Sequence, residues 1–257
     1  MRKTYSIRPI PLCVSGNDLS RYTYRMGSGI GCINCNYTWY IEGPRRNILV
    51  DTGLSAELFS KYGWRVPKYN IQSLEQGLAK LNLKPEDIDL VILTHLHFDH
   101  CGMGYKYTKA KFLVQKVELD AAKILIPYDP YAFFKSTYEG LDLQTVEGDY
   151  QVEEGIKCLF TPGHTAGGQS VAIDTAKGTA IIDCMCSQWE NYYPYPAMYR
   201  PELKLEKADI PPEPEVALTS LRSSNEDCYN SLLRIKKAAD ILIPGHDPRF
   251  MAVDRIP

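Results

Sequence analysis

The stretch Thr94-His95-Leu96-His97-Phe98-Asp99-His100 directly follows the apolar run Leu90-Val91-Ile92-Leu93. The apolar run is typical of a buried strand. A strand that ends in a tight turn projects the first two histidines in one direction, whereas Asp99 and His100, one turn later, face a neighbouring position. Because neutral imidazole and carboxylate are ligands of Zn²⁺ and similar borderline metals, the motif predicts a site for two metal ions.

The other candidate ligands repeat this plan, since each stands in a turn directly after a strand-like run. These residues, each with the run before it, are His164 (Ile156–Phe160), Asp183 (Ala180–Ile182) and His246 (Ile241–Ile243). All five histidines of the chain belong to the pattern. The gaps between the ligands are too long for a local zinc knuckle, so we expect a folded domain that collects them at one edge of a sheet.

Composition narrows the class of protein. The chain has 257 residues, 44% of them apolar, which suits one large domain with a substantial core. With 29 Lys and Arg against 31 Asp and Glu, the net charge of −2 gives no field that would favour nucleic acid or an anionic membrane. The N-terminus lacks the apolar segment of a signal peptide, and no run is long enough to cross a bilayer. We expect a cytoplasmic protein with a small-molecule partner; the oligomeric state stays open, a homodimer included.

Cysteine content raises the question of disulfides. A disulfide framework is typical of short secreted chains, so we expect reduced thiols here, several of them packed as small apolar groups. Cys32-x-x-Cys35 could be half of a zinc or redox site, but no second pair stands at a suitable spacing. We interpret it as an ordinary strand-and-turn feature. The eight cysteines are at positions 13, 32, 35, 101, 158, 184, 186 and 228.

Short β-like runs alternate with helical ones, which favours a mixed α and β sandwich over a bundle or barrel. Tyr37–Ile41 and Asn47–Val50 predict a hairpin. Apolar residues at 71, 74, 78 and 81 predict a helix over 71–81, and a second helix is expected at Glu226–Ala239. Further strands are predicted at Lys111–Val114, Ile156–Phe160, Gln169–Ile173, Thr179–Ile182 and Ile241–Ile243.

The motifs and their order resemble the metallo-β-lactamase superfamily, and within it most closely the N-acyl-homoserine lactone lactonases and related lactone hydrolases. The resemblance runs over roughly residues 5–250. It implies an α/β fold, the αβ/βα four-layer sandwich, in a single domain spanning residues 1–257. The segments that carry it are NILVDTG (47–53), THLHFDHCG (94–102), GDYQVEEG (148–155), TPGHTAGGQS (161–170) and GHD (245–247).

The resemblance also implies which candidate ligands would hold each metal ion. One metal ion would be held by His95, His97 and His164, and the other by Asp99, His100 and His246. Asp183 would bridge the two ions together with a hydroxide, which would attack a lactone carbonyl.

Two further roles accompany this ligand set, and the ligand types limit the choice of metal. Asp99 would pass a proton to the leaving oxygen. Asp51 is expected to orient His100 or the following turn by accepting a hydrogen bond. The two divalent ions would be zinc, although iron, cobalt or manganese accept the same ligands.

The chain departs from the lactonase pattern in its pocket. Those enzymes carry a substrate-binding tyrosine three residues after the bridging aspartate, where this chain has Cys186, and a thiol is a poor donor. The segment 187–225 is long and rich in Tyr and Pro, which predicts a lid or pocket wall. Besides Cys186, the predicted pocket residues are Trp189, Tyr192, Tyr193 and Tyr195.

The same residues are also compatible with other functions. A thioesterase or a cyclic-amide hydrolase would use the same metal site, and a thioesterase of the hydroxyacylglutathione type would also need a basic patch. A non-catalytic metal or redox sensor would use the eight cysteines and bind metal without turnover.

Overall fold

The structure, a computed structural model, describes residues 3–43, 45–63, 66–124, 133–194 and 214–257. Tyr195 and the middle of the predicted lid segment, 195–213, lie outside the described residues. Two β-sheets and their covering helices account for most of the rest.

The larger sheet has seven strands in the order β4-β1-β2-β3-β5-β6-β7. Strands β1 and β2 form a long antiparallel pair, whereas β3, β5, β6 and β7 run parallel to one another. The carboxyl ends of the parallel strands therefore meet at one edge. The strands are β1 (Ser6–Asp18), β2 (Gly31–Glu42), β3 (Ile48–Val50), β4 (Tyr69–Asn70), β5 (Leu90–Ile92), β6 (Lys111–Gln115) and β7 (Leu143–Val146).

The smaller sheet has five strands in the order β12-β11-β10-β9-β8. Strands β9 and β11 run in the same direction because both are antiparallel to β10, and β12 is parallel to β11. Three strands thus end at the same edge. The strands are β8 (Tyr150–Glu153), β9 (Ile156–Phe160), β10 (Gln169–Thr175), β11 (Gly178–Ile182) and β12 (Ile241–Ile243).

Seven α-helices and four 3-10 turns connect these strands in the described part of the chain, and none of the helices is long and apolar enough to cross a membrane. The helices are α1 (Ala56–Lys61), α2 (Leu74–Ala79), α3 (Phe98–Cys101), α4 (Lys116–Lys123), α5 (Lys135–Tyr138), α6 (Trp189–Tyr192) and α7 (Asn225–Ala238). The 3-10 turns are Leu19–Arg21, Pro85–Asp87, Gly104–Lys106 and Pro248–Ala252.

Three apolar cores show the order of the layers. One core packs the larger sheet against helices, with Phe59 of α1 and Leu78 of α2 buried on it. A second core fills the space between the two sheets, where Trp39 meets Ile173 and its neighbours. The third packs the smaller sheet against α7 through Leu232. The layers are therefore helix, sheet, sheet and helix, which confirms the predicted four-layer αβ/βα sandwich.

Most predicted elements form, and the differences have local causes. The predicted hairpin pairs as expected, with Trp39 opposite Val50. The helix predicted over 71–81 begins only at Leu74, because the Ile71 amide donates to Leu12 of β1 and Ser73 caps the first turn. Strand β1 was not predicted, since prolines at positions 9 and 11 argue against a strand. A register shift after Pro11 accommodates them.

Ile173 tests the core between the sheets. It is fully buried on β10, so Ile173→Ala is expected to lower the free energy of unfolding by about 2–5 kcal/mol through lost burial and a residual cavity. Ile124, which is 68% exposed, provides the matched control, and Ile124→Ala should change stability by no more than about 0.5 kcal/mol. Urea denaturation measures both. Equal effects of the two substitutions would contradict this assignment of the core.

Candidate metal centre

The candidate ligands come together from both sheets. His95, His97, Asp99 and His100 follow β5 of the larger sheet. The other three candidates follow strands of the smaller sheet: His164 after β9, Asp183 after β11 and His246 after β12. The expectation that one sheet edge supplies all the ligands is therefore wrong. Two sheets packed face to face bring two edges together, and the site lies where they meet.

The first donor group contains three imidazoles. One nitrogen each of His95, His97 and His164 lie within 4.8 Å of one another. The Nδ1–H of His164 donates to the Leu221 carbonyl oxygen at 2.8 Å, which leaves Nε2 as the ligand atom. His95 Nε2 is buried and has no hydrogen-bond partner among the residues that the structure describes. A buried polar atom of this kind requires a partner, and a metal ion would provide one.

The second donor group contains one carboxylate and two imidazoles, again within 4.8 Å of one another. Oδ2 of Asp99 lies 3.8 Å from Nε2 of His100 and 3.9 Å from Nε2 of His246. His246 turns its Nδ1–H towards the Cys35 carbonyl oxygen at 3.2 Å, so its Nε2 faces Asp99. Both groups have the donor types and the spacing that Zn²⁺, with bonds of about 2.0–2.2 Å, requires, so the residues present fit two divalent ions.

Asp51 holds the turn that carries four of the candidate ligands. This residue, directly after β3, has a left-handed φ of 58°, a conformation that aspartate tolerates better than most residues. Its Oδ1 accepts from the Thr94 amide at 2.7 Å, and its Oδ2 accepts from the Thr94 hydroxyl at 2.8 Å and from His100 Nδ1 at 2.7 Å. The Thr94 hydroxyl in turn accepts from His95 Nδ1 at 3.0 Å. One carboxylate thereby orients an imidazole in each donor group.

Burial sets the protonation of most of the imidazoles. It lowers the pKa of His95 and His97 well below the usual range, that of His164 to about 4 and that of His246 to about 3. These side chains are neutral at pH 7, the form that binds metals.

His100 behaves differently because it lies between carboxylates. Burial alone would lower its pKa, but Asp99 and Asp51 outweigh burial and raise the pKa to about 9. Burial would raise the pKa of Asp99, yet His100 and His246 bring it down to about 2. The second donor group therefore favours positive charge, as a cation site must.

Asp183 is buried beside the two donor groups but belongs to neither. Oδ1 accepts from the Gly245 amide at 2.8 Å, whereas Oδ2 accepts from the Ser187 hydroxyl at 2.6 Å and from the Tyr192 hydroxyl. Burial raises its pKa to about 7 against the effect of these hydrogen bonds. Oδ1, with a single hydrogen bond, retains a lone pair for a further partner.

Glu118, which the sequence analysis did not select, ties the two edges together. Its buried carboxylate accepts from the Leu96 amide through Oε1 and from the Gly167 amide through Oε2, both at 2.9 Å. Leu96 lies between the first two ligands, and Gly167 follows His164. A Cβ at Gly167 would lie 2.3 Å from the Glu118 amide nitrogen, so only glycine fits there. A single glutamate near the start of a surface helix carries no sequence signal for this role.

A cavity of about 130 Å³ opens onto both donor groups. Of the predicted pocket residues that the structure describes, Cys186 alone lies in its wall. Trp189 and Tyr193 stack on each other with ring centroids 4.6 Å apart, away from the wall. Tyr192 is buried behind it, with its hydroxyl on Asp183. Besides five of the ligands, the lining residues are Arg21, Tyr22, Asn34, Phe59, Lys68, Phe98, Cys186 and Leu221.

The cavity wall also contains cations that the sequence analysis missed. The Lys68 ammonium donates to Asn34 Oδ1 at 3.1 Å and lies 4.2 Å from the centre of the Phe59 ring. Burial lowers the pKa of Lys68. Arg21 lies on another side, in the connection from β1 to β2. These residues come from loops distant in sequence, and no motif marks them.

Asp51→Asn tests how the turn is held. The amide keeps the shape of the carboxylate but removes its charge, so we expect the fold to persist and metal affinity to fall about 10–100-fold. Competition with a chelator measures this affinity, with thermal unfolding as the check on folding. Asp254→Asn, at a side chain that is 96% exposed, provides the control. Unchanged metal affinity in Asp51→Asn would contradict the orienting role.

Comparison with known proteins agrees with this geometry. The family model for the metallo-beta-lactamase superfamily matches residues 33–186. An N-acyl homoserine lactonase of Bacillus thuringiensis is 29% identical over 218 residues, which are 80% of this chain and 77% of that protein. The crystal structure of a quorum-quenching N-acyl homoserine lactone lactonase superposes with a TM-score of 0.72 at 26% identity, over 96% of this chain and 95% of the other.

A more distant structure supports the fold alone. A probable metal-dependent hydrolase from Staphylococcus aureus superposes with a TM-score of 0.73 at 18% identity, over 96% of this chain and 91% of the other. The family model covers more than half of the chain, and it matches the family expected from the histidine motif. The chain belongs to the metallo-β-lactamase superfamily.

Proposed function

We propose that this protein is a dinuclear metal-dependent hydrolase that opens lactones, of the N-acyl-homoserine lactone type or a similar cyclic ester. The observation that carries the proposal is the pair of three-residue donor groups side by side at one cavity. Structural zinc sites usually close at four ligands around one ion, often with cysteines, whereas these groups hold three residues each and face an open space. The similarity to N-acyl homoserine lactonases supports the choice of lactones.

In this proposal the chain's own residues bind and orient the reacting groups. Two divalent ions, zinc in the first instance and otherwise iron, cobalt or manganese, lower the pKa of water to near neutrality and polarise a carbonyl when bound. His95, His97 and His164 would hold one ion, and Asp99, His100 and His246 would hold the other. The bridging role of Asp183 is supported by its buried position and the remaining lone pair of Oδ1.

Asp99 is proposed to carry the proton. Its side chain is about 20% exposed, more than those of His100 and His246, and it lies in the cavity wall. A carboxylate at this boundary reaches both the second donor group and a substrate. The Asp99 carboxylate is placed to take the proton of the hydroxyl group that has added to the carbonyl carbon and to pass it to the leaving alkoxide when the ring C–O bond breaks.

The segment 187–225 is proposed to act as a lid or pocket wall. Leu221 of this segment lines the cavity, and so does Cys186, which directly precedes the segment. The Tyr24 amide donates to the Leu218 carbonyl oxygen at 2.7 Å, and Thr23 pairs with Thr219, so the described part of the segment is joined to the connection between β1 and β2. The apolar side chains that line the cavity beside the two donor groups suit the acyl chain or the ring of a lactone substrate.

A thioesterase is the second candidate, and one observation favours it. Arg21 and Lys68 both line the cavity, and an anionic thioester such as a glutathione conjugate would need basic side chains there. The sensor hypothesis gains less support, because burial raises the pKa of the Cys186 thiol to about 12 and that of Cys32 to about 11, and redox sensors need low-pKa thiols.

The eight cysteines support a reducing compartment. All of them are unpaired thiols, and six are buried. We propose the cytoplasm on this basis. We still predict a small-molecule substrate and neither nucleic acid nor membrane as a partner. A homodimer stays a prediction for the oligomeric state.

Metal counting combined with a substrate panel tests the proposal. We expect two metal ions per chain and acid release from lactones, measured with a pH indicator, with loss of turnover on chelation and recovery on adding Zn²⁺. Turnover of thioesters alone would move the assignment to the second candidate. Metal binding without turnover on lactones, thioesters or cyclic amides would favour the sensor.

Asp99→Asn tests the proton carrier. An amide cannot deliver the proton, so kcat on a confirmed substrate should fall about 10²–10⁴-fold while the fold is kept. The metal content of the variant must be measured in parallel, because Asp99 also belongs to a donor group. Asp120→Asn, at an exposed residue of α4, is the control. Full activity in Asp99→Asn would show that the assigned role is wrong.

A further inference from the structure

Tyr22 is a cavity residue that the mechanism above does not use. It follows the 3-10 turn Leu19–Arg21 between β1 and β2, is only 5% exposed and lines the cavity. Its ring centroid lies 6.4 Å from that of His246. Two residues later, Tyr24 is 40% exposed and packs against the Arg222 guanidinium, 3.6 Å from its ring centre. The two tyrosines are thus close in sequence but differ in surroundings.

The backbone of Tyr22 is held from both sides. Its amide donates to the Leu19 carbonyl oxygen at 2.9 Å. Its carbonyl oxygen accepts from Asn191 Nδ2 at 2.9 Å and from the Ser220 amide at 3.2 Å. Asn191 is itself fully buried and donates to the Ala217 carbonyl oxygen at 3.0 Å. Hydrogen bonds therefore fix the backbone that carries the ring, as a group that acts in catalysis requires.

The hydroxyl of Tyr22 makes no hydrogen bond to any residue in the described ranges. Three other buried tyrosines do make such bonds: Tyr37 donates to Asp247, Tyr138 to Ala122 and Tyr192 to Asp183. Tyr107, like Tyr22, has no partner for its hydroxyl among the described residues. The Tyr22 hydroxyl therefore keeps its hydrogen-bonding capacity for a ligand in the cavity.

The ordinary chemistry of the side chain makes this hydroxyl a donor. The pKa of a tyrosine hydroxyl is about 10, well above neutral pH. At neutral pH the group is a phenol, a hydrogen-bond donor. Cys186, the neighbour in the same wall, offers only a weak S–H donor.

We propose that Tyr22 is a catalytic residue whose phenol donates a hydrogen bond to the carbonyl oxygen of the lactone and to the oxyanion that forms from it. This inference rests on the proposed lactone hydrolysis. When hydroxide adds to the carbonyl carbon, the π pair moves to the oxygen. The pair returns as the ring C–O bond breaks, and Asp99 passes the proton of the added hydroxyl group to the leaving alkoxide. Tyr22 keeps its own proton throughout.

A donor that acts on developing charge contributes more to the transition state than to the bound substrate. Removing only the Tyr22 hydroxyl should therefore lower kcat more than it raises KM. In Tyr22→Phe holding two metal ions we expect kcat to fall about 10²–10³-fold, with KM within about threefold of the parent. Tyr24→Phe, the matched control, should keep both constants.

A second measurement follows the phenol itself. 3-Fluorotyrosine is placed at position 22 or, as the control, at position 24, and ¹⁹F NMR is recorded while 2-(hexanoylamino)cyclopentanone is added. This probe presents a ring carbonyl but has no ester bond to open. The resonance at position 22 should shift on binding, and the resonance at position 24 should stay in place.

The outcomes separate the two proposals. If the parent holds two metals but opens no lactone, the proposed function fails, and the role of Tyr22 fails with it. If the parent opens lactones and Tyr22→Phe retains kcat within about threefold, or loses activity only in proportion to lost metal, the function stands and the role of Tyr22 is overturned. An unchanged fluorine resonance at position 22 would also overturn it.

Discussion

Burial of a cluster of imidazoles is the constraint on which the site depends. Side chains that prefer water are held in a space closed off by two sheets, and each needs a partner for both ring nitrogens. In four of the imidazoles the chain satisfies one nitrogen. Thr94 serves the adjacent His95, and residues distant in sequence serve the others: Asp51 for His100, Leu221 for His164 and Cys35 for His246. The other nitrogen is directed towards its donor group. Metal binding and folding therefore share the same contacts.

The meeting of two sheet edges determines how rigid this arrangement is. Ligands carried by separate sheets would move relative to one another if the sheets slid. Glu118 opposes such sliding, because one carboxylate binds an amide in the turn after β5 and another in the turn after β9. A buried carboxylate with satisfied oxygens is a stiff connection, and breaking it would leave two amides and a charge without partners. The apolar core between the sheets supplies the bulk of the attraction, and Glu118 adds a hydrogen-bonded link between the two turns.

The sequence predicted those parts of the protein that depend on local patterns. Four features could be stated from residues near one another in the chain or from family resemblance. They are the run of histidines after an apolar strand, the later turns with single candidate ligands, the role of Asp51 towards His100 and the four-layer fold. The parts that it did not predict depend on distant contacts. Tyr22 and Lys68 reach the cavity from loops without a motif, and the division of the ligands between two sheets follows only from how those sheets pack. The predicted 71–81 helix was shortened by a hydrogen bond to Leu12, a partner some sixty residues earlier in the chain.

Asn191 links two parts of the cavity wall that are far apart in the chain. Its side-chain amide serves the carbonyl oxygens of Tyr22 and Ala217 at the same time. The connection after β1 and the backbone at Ala217 are therefore held together, although they are nearly two hundred residues apart in the sequence. Evolution or engineering of substrate range must treat these two loops as a matched pair. An exchange of one loop alone can leave an N–H of the buried Asn191 amide without its acceptor, whereas joint exchange can reshape the pocket while the strand ends that carry the candidate ligands stay as they are.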